Sequence, residues 1–584
     1  PLALTGGMIG SILREFSLVV VFSTLMSLFV SFTVTPVLAS RFGKLEHLKN
    51  NTLWGKINLG FERLINIIKE DYGKILQRVL TRKRWLLSGT LLLIIAAIVL
   101  VPTGFIGAAF IPKTDQSDLI LNMELEPTAT IYKTNMLVQQ AEKIIMEQPE
   151  VEKVFSSVGF VSGSVSGTSS NANLAELTLT LVDKKKRNIT AEDFGIAIQQ
   201  KLSSAITGVK FTASSTSITG NVSSAPIQIA VKGINLADVR QVAEAYQKMI
   251  TEIAGTQFVK LSVKDRKPEI DIKLNREKMS ILGLNASQVG VTLQNAFSGN
   301  DKSRFKQEGN EYGILVSLDK YNRSDIRNVS SLPFVNAEGQ TILLGQFAEV
   351  SETLGETTLQ RIDRMGSITV QANVIGRPTG TVSEEIKAKA ESIEVPNGIS
   401  IEYLGDSKNQ GDAFGSLGLA FITAIILVYL IMVALYESAV YPFVVLFSIP
   451  VALVGALLAL ALTMETLNIF TIIGMIMLLG LVAKNAILIV DFTNKLKEEG
   501  YDLKEALVEA GKERLRPILM TTLAMIFGML PIAIASGAAS EIKNGMAWVI
   551  IGGLTSSMIL TLFVVPSVYL IVENLLTKLR KKKV

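Results

Sequence analysis

Lys484 carries the clearest chemical signal in this sequence. It sits in Leu481-Val482-Ala483-Lys484-Asn485-Ala486-Ile487 and is the only charge between Glu465 and Asp491. A lysine at the centre of a membrane helix costs roughly 2.5–3.5 kcal/mol on insertion scales, so such residues face the bundle and pair with an acid. With a titrating carboxylate beside it, Lys484 and its neighbour Asn485 would make a proton relay. The competing reading is snorkelling, because Asp491 is only about 10 Å of helix away. No Asp or Glu interrupts any of the long apolar runs of this chain. Either Lys484 is unpaired, at a cost, or its partner lies on sequence outside this chain. A second polar stretch, Arg514-Leu515-Arg516-Pro517-Ile518-Leu519-Met520-Thr521-Thr522, opens another apolar run. Pro517 suits the first turn of a helix. Thr521 and Thr522 can bond a neighbouring helix or their own preceding turn.

Other chemistries are excluded by residue type. There is no Cys, hence no disulfide, iron–sulfur cluster or thiol nucleophile, and His47 is the single His. Gly500 and Gly511 near Lys512 do not form a phosphate loop. Met123, Met136 and Met146 are scattered and read as core rather than as metal ligands. No metal or cofactor is expected. A net charge of +5 is small for a nucleic-acid binder.

The elements that must hold these residues are membrane helices. Over 584 residues the chain is 48% hydrophobic, with a mean hydropathy of +0.39, too apolar for a soluble multidomain chain. Seven uncharged or nearly uncharged runs are long enough to cross a bilayer: Phe16–Ser40, Trp85–Pro112, Ala413–Tyr436, Ser438–Met464, Thr466–Val490, Pro517–Ser540 and Asn544–Val572. Small residues along them, Gly455, Gly474, Gly480, Gly528, Gly552 and Gly553, are explained by close helix packing.

Between the second and third runs, residues 113–412 are polar and alternate strand and helix periods. Strands are expected at Ser117–Glu126, Val151–Phe160, Ala175–Val182, Pro226–Lys232, Gln257–Val263, Pro268–Asn275, Gly313–Leu318 and Ser367–Asn373. Helices are expected at Thr134–Glu147, Thr190–Ile206, Asn235–Ile253 and Thr381–Glu394. Two successive β-α-β units point to α+β subdomains of ferredoxin-like type, with Gly309-Asn310 as a turn in the insertion. The Gly/Ser-rich stretch Gly159–Asn173 reads as a mobile surface connector.

Basic residues set the orientation. Arg41–Arg84 holds eleven Lys/Arg, Lys495–Arg516 six and Lys578–Lys583 five, and all three segments fall on one side when the runs alternate. That side is cytoplasmic, so residues 113–412 face outward. Asn51–Arg84 interleaves apolar with basic residues and is expected as an amphipathic helix in the cytoplasmic interface. A chain that starts outside, at Pro1 and with no signal peptide, is expected to be the C-terminal part of a longer protein.

Several motifs together resemble the resistance–nodulation–division efflux permeases: Leu435-Tyr436-Glu437-Ser438 with Pro442, Ala483-Lys484-Asn485-Ala486-Ile487-Leu488, Leu515-Arg516-Pro517-Ile518-Leu519-Met520-Thr521, and Phe563-Val564-Val565-Pro566. The resemblance covers nearly the whole chain and implies the C-terminal half of such a permease. The implied fold is a polytopic α-helical membrane protein with seven transmembrane helices in this chain. It carries a large extracytoplasmic α+β domain of ferredoxin-like porter subdomains and a docking subdomain. The implied division is 1–40 a membrane helix, 41–84 a cytoplasmic amphipathic helix, 85–112 a membrane helix and 113–224 a first porter subdomain. A second porter subdomain follows at 225–266 and 357–405, with a docking subdomain at 267–356, a five-helix bundle at 406–577 and a basic tail at 578–584.

The resemblance also implies roles. Lys484 would pair with two adjacent Asp residues on the missing half, with Thr521, Arg514 and Asn485 assisting the proton. Phe155 and Phe160 would line the substrate path together with Ser162 and Glu176, which stand where multidrug members carry Phe. Gly159, Gly163 and Gly167 would lie in a switch loop. The segment Ile111-Pro112-Lys113-Thr114-Asp115-Gln116-Ser117 is similar to the hydrophobe/amphiphile branch rather than the heavy-metal branch. The implied activity is proton-driven efflux of hydrophobic or amphiphilic small molecules, with no covalent chemistry. The implied setting is a homotrimer in the bacterial inner membrane, with a periplasmic adaptor (membrane fusion) protein and an outer-membrane channel as partners and no nucleic acid. The alternatives are a heavy-metal-ion exporter of the same family and a related protein-translocation or lipid-handling membrane protein.

Overall fold

The apolar runs fold into long helices, and the polar middle folds into sheets covered by shorter helices. The structure is a computed structural model describing residues 2–4, 6–43, 53–112, 114–164, 167–215, 225–263, 267–319, 321–323, 325–336, 338–355 and 359–581. His47 and residues 582–584 of the basic tail lie outside the described residues. Two units are distinguished: 1–262 with 362–584, and 263–361.

In the first unit, Gly7–Phe32 (α1) and Val34–Phe42 (α2) meet at Thr33 and form one apolar span. Leu53–Thr81 (α3) is the amphipathic helix, followed by Lys83–Val99 (α4). Strand Asp118–Leu125 (β1) buries Leu119, Leu121, Met123 and Leu125 on one face, and Ile120 is buried on the other. Helix Ile131–Met146 (α5) starts at Thr130, whose hydroxyl accepts from the Lys133 amide. Val151–Ser164 (β2) and Gly167–Leu181 (β3) form a long hairpin. Ala191–Ala205 (α6), capped by Thr190, and Val209–Ser215 (β4) complete the subdomain. The sheet order is β2-β3-β1-β4, antiparallel throughout, and α5 and α6 cover one face over a Leu-rich core.

The same order recurs in Ile227–Gly233 (β5), Leu236–Thr251 (α7, capped by Asn235) and Thr256–Leu261 (β6). β5 is buried along its whole length, as a central strand must be.

The second unit contains Lys267–Leu274 (β7), Arg276–Ile281 (α8), Ala286–Phe297 (α9) and the hairpin Asn300–Gln307 (β8) with Asn310–Val316 (β9). The hairpin turn is Glu308-Gly309, both left-handed, one residue earlier than the expected turn. Ile326–Ser330 (α10), Pro333–Val335 (β10), Thr341–Leu343 (β11), Leu344–Phe347 (α11) and Ala348–Gly355 (β12) follow, and β12 pairs antiparallel with β7. Its core centres on Phe334 and Phe347, whose rings meet edge to face at 5.4 Å.

Back in the first unit, Met365–Val374 (β13), Thr379–Ala390 (α12) and Ile399–Gly405 (β14) finish a second sheet ordered β6-β13-β5-β14. Thus 263–361 interrupts this repeat between its second and third strands.

Asp406–Tyr436 (α13), Val440–Leu446 (α14), Ser448–Thr463 (α15), Ile469–Glu498 (α16), Leu503–Ala533 (α17) and Glu541–Lys581 (α18) form the bundle. α15 and α18 approach closely at Gly455 and Gly552, where an added Cβ on either would overlap the other's backbone. Among the described residues, six helices are long and apolar enough to cross a membrane. The run expected as a further crossing, Trp85–Pro112, is helical only as α4, 17 residues ending before Pro102 and the left-handed Gly104.

Two expectations are corrected. The stretch 159–173 is not a plain connector. β2 continues to Ser164 and β3 begins at Gly167, with only 165–166 outside the described residues. The pairing jumps from Val158↔Ala175 to Phe160↔Ser170, with Gly159 left-handed at φ 83. The extra β3 residues are pinned inward, since Asn173 Nδ2 donates to the Leu125 carbonyl and Thr134 donates to the Ala172 carbonyl. Local Gly/Ser composition carries no signal of these distant anchors. Nor does α3 merely rest at an interface. Tyr72, Leu76 and Leu80 are buried against α17 and α18, the Tyr72 hydroxyl donates to the Leu562 carbonyl at 2.8 Å, and Lys69 and Glu70 pair with Glu513 and Lys512. Leu64, Ile67, Ile68 and Ile75 remain exposed on an adjacent stripe.

Candidate functional site

The polar residues singled out in the membrane runs meet along α16 and α17. α16 starts at a capping box, with Asn468 accepting from the Phe470 and Thr471 amides and Thr471 accepting from the Asn468 amide. Asp502 caps α17 by accepting from the Lys504 amide. The two helices run antiparallel, and two contacts fix their level. Asn485 Nδ2 donates to Thr522 Oγ1 at 3.3 Å, and the Arg514 guanidinium stacks over Phe492, 4.6 Å from the ring centroid. Lys484 therefore lies level with Thr521–Leu523.

These residues do not all converge. Asn485 is 1% exposed and Thr522 fully buried, while Lys484 points away from this interior and is exposed. It makes no hydrogen bond or ion pair among the described residues. Within this chain the neutral amide beside it takes the inward position. Asp491, the snorkelling candidate, pairs with Lys495 at 3.6 Å instead. Thr521 donates back to the Pro517 carbonyl at 3.0 Å, so Thr522 supplies the bond between helices. Arg514 sits two turns before Thr521 on the same face of α17. Asn485 Oδ1 and Arg514 Nε are buried without a hydrogen-bond partner.

In the first sheet, α5 and α6 cover the face carrying Ala175, Leu177 and Leu179. The opposite face carries Glu176, Thr178 and Thr180. Glu176 is buried, with Ser157 across on β2 and Asn122 across on β1. Phe155 is 70% exposed and pairs with Thr178; Phe160 is 39% exposed near the hairpin end. Ser162 and Gly163 lie on β2 and Gly167 on β3, where Ser164 pairs with Gly167 to close the described hairpin.

Sequence reading missed two ionic clusters, the first of them buried. Arg187 and Asp115 pair at the root of the first subdomain. Asp115 also accepts from the Ser117 and Ala191 amides at 3.0 and 3.1 Å, and Arg187 donates to the Val182 and Ile189 carbonyls. Burial pushes the Asp115 carboxyl up, but the Arg187 bond and the two amides outweigh it and hold it below the usual range. Next to this pair, the Ala539 amide donates to the Asp115 carbonyl, and Lys184 pairs with Glu541 of α18. Lys232, next to last in β5, pairs with Asp363 and Glu402, both at 2.8 Å. Bonds from Lys232 and Lys408 lower Glu402 to about 2. A lysine in an otherwise apolar central strand, and an acid just after a membrane run, were the available signals.

The chain matches the AcrB/AcrD/AcrF family over residues 1–573. It is 32% identical over 588 residues to the swarming motility protein SwrC of Bacillus subtilis strain 168, covering all of this chain and 54% of that protein. It is 29% identical over 589 residues to the multidrug resistance protein MdtC of Escherichia coli O139:H28, covering all of this chain and 56% of MdtC. A solved heavy-metal efflux pump superposes with a TM-score of 0.75 at 26% identity, over 87% of this chain and 52% of the pump. The chain therefore spans about half the length of the relatives it matches. It belongs to the AcrB/AcrD/AcrF family of resistance–nodulation–division permeases, membrane transporters rather than enzymes.

Proposed function

We propose that this chain forms the C-terminal part of a permease that exports hydrophobic or amphiphilic compounds in exchange for protons. The observation that carries the reading is Lys484, the one charge in the apolar stretch of α16, exposed on the bundle's flank and level with Thr521. A cation so placed is stabilised when an acidic pair on the remaining part of the permease is ionised, and released when that pair is protonated. Thr521 and Arg514 assist the proton, and Asn485 backs the lysine. Each proton charge moved through 100 mV supplies about 2.3 kcal/mol. In this reading α4 is a seventh crossing, the basic segments face the cytoplasm and the sheets face the periplasm. The permease is then a homotrimer of the inner membrane that hands substrate to an adaptor protein and an outer-membrane channel.

The two sheets act as porter subdomains and 267–356 as the docking subdomain. The exposed Phe155 and Phe160 favour amphiphilic substrates, with Glu176 and Ser162 in the same region and Gly159, Gly163 and Gly167 in the switch segment. MdtC is named a multidrug resistance protein, which agrees. A heavy-metal exporter is the second reading, favoured by the match to a solved heavy-metal pump. Replacing Lys484 by Met in the full-length permease should abolish dye efflux at normal expression, and wild-type efflux would overturn the proton coupling. Tolerance to drugs and to metal salts, measured in one knockout strain complemented with the permease, separates the two substrate classes.

A further inference from the structure

α3 gives way to α4 at an elbow on Arg82, whose amide still donates to the Arg78 carbonyl while its own φ −108 and ψ 29 leave the helical range. Arg78, Arg82, Lys83 and Arg84 crowd this turn, and no Asp or Glu occurs between Asp71 and Asp115. Further back on α3, Lys69, Glu70 and Lys74 pair with Glu513, Lys512 and Asp71. The four cations at the elbow make no side-chain hydrogen bond or ion pair among the described residues, and the three arginines are exposed. Cations gathered in one turn repel one another, so the cluster is stabilised only by an anion from outside it.

Apolar surface adjoins the elbow on both helices. On α3, the exposed Leu64, Ile68 and Ile75 lead at helical spacing into Arg78 and Arg82. On α4, Trp85 is 81% exposed, and the exposed Leu92, Ile95 and Val99 continue its face, while Thr90 and Ala97 are buried on the other side. Trp85 to Ile95 covers about 15 Å of helix, half of a hydrocarbon core about 30 Å thick. Guanidinium forks hold phosphate oxygens in pairs, and tryptophan settles at the level of lipid headgroups. A free phosphate would satisfy the arginines and leave the apolar strip bare. A molecule with a phosphate head and tails one leaflet deep covers both.

We infer that the α3–α4 elbow binds an anionic phospholipid, with Arg78, Arg82 and Arg84 on its headgroup and its acyl chains along the Trp85–Val99 face of α4. The inference rests on the reading above of α4 as a crossing whose basic end faces the cytoplasm. It goes beyond orientation: orientation needs only a surplus of positive charge, whereas this site discriminates between lipids of the same leaflet.

The test uses the full-length permease in phosphatidylcholine vesicles doped with brominated phosphatidylglycerol or, at equal bromine content, brominated phosphatidylcholine. The readout is the fluorescence of Trp85, taken as the difference between the wild type and Trp85→Phe. The anionic lipid should quench Trp85 as if enriched at least about fivefold, the factor that one basic group contributes at an anionic leaflet. Arg82→Gln with Arg84→Gln should bring the two lipids within about twofold of each other, while Lys74→Gln, whose charge Asp71 already matches, should not. Added inorganic phosphate should leave the preference intact; its loss there overturns the lipid in favour of a free anion. Equal quenching by both lipids in the wild type overturns the headgroup site and leaves α4 a lipid-facing crossing. Quenching by neither is the result of protein packed over the elbow, and it overturns the placement of α4 in lipid together with the site.

Discussion

Removing the Asp115 carboxylate isolates a charge, and the size of the effect follows from the burial of its partner. The Arg187 side chain is 1% exposed and Asp115 is its only counterion among the described residues. In Asp115→Ala the guanidinium keeps its bonds to the Val182 and Ile189 carbonyls but loses its neutralising charge, and the Ser117 and Ala191 amides lose their acceptor. Breaking a buried pair from one side costs about 3–5 kcal/mol. The loss concentrates where β1 and α6 begin. Hydrogen exchange of the peptide containing Ala191, measured in the intact permease, should therefore accelerate by roughly two to four orders of magnitude. Asp115→Asn, which keeps an acceptor without the charge, should fall between the wild type and Asp115→Ala. Removing both charges in Asp115→Ala with Arg187→Leu should recover much of the protection, because the isolated cation is what costs most. An acceleration below about tenfold in Asp115→Ala, or a double variant no better than the single, would refute the reasoning.

The pH dependence follows from the same pair. Asp115 and Glu402 both titrate below their ordinary range, so their stabilisation is complete above the unfolded values near pH 4 and is lost as the pH falls through the folded ones. Protection of the two sheets should be flat from neutral pH to about 4.5 and decline below, with the Glu402 contribution gone by about pH 2. Gly552→Ala drives a methyl into Ala459 and the Gly455 carbonyl. It should cost about 1–3 kcal/mol, read as a lower melting temperature of the solubilised permease, whereas Gly528→Ala in open space should not. Tyr72→Phe removes the bond to Leu562 and should loosen α3 by about 1 kcal/mol, read as faster proteolysis of the 53–84 segment. Phe160→Ala should alter the order of preferred dyes in a competition assay while leaving the energised maximum rate within about threefold.

Much of this was legible because the bilayer and the sheet impose strong periodicities. Most of the apolar runs became long helices, and the expected helix starts Thr190 and Asn235 are caps whose side chains accept amide bonds. The alternation in β1 was equally direct, since one face of that strand is buried under α5 and α6. What escaped depends on contacts far apart in sequence. The pinned strand at Ala172–Asn173 needs Leu125 and Thr134. The docking of α3 needs Leu562 and Glu513, more than 400 residues away. At the site, the sequence identified Lys484 but could not divide the labour between Lys484 and Asn485 or between Thr521 and Thr522. Adjacent helical residues point about 100° apart, and only the packing of α16 against α17 and α18 decides which of each pair turns inward.

That division of labour bears on what covers Lys484. α16 is a central helix, with more than half of its apolar window buried by this chain, whereas α13 and α17 are mostly uncovered. A lysine turned outward from such a helix faces either lipid or more protein. In lipid it would carry the insertion penalty of roughly 2.5–3.5 kcal/mol, and no acid among the described residues offsets it, because Asp491 pairs with Lys495. A bundle that spends several turns of Ile, Leu and Val on close packing would gain by replacing that lysine with leucine, unless an acid on an adjoining segment repays the charge. The apolar flanks of α1 and α2, whose most apolar stretch is left uncovered by the described residues, offer further surface for such a segment. The position of Lys484 therefore argues, from energetics alone, for an acidic protein surface against this flank of α16.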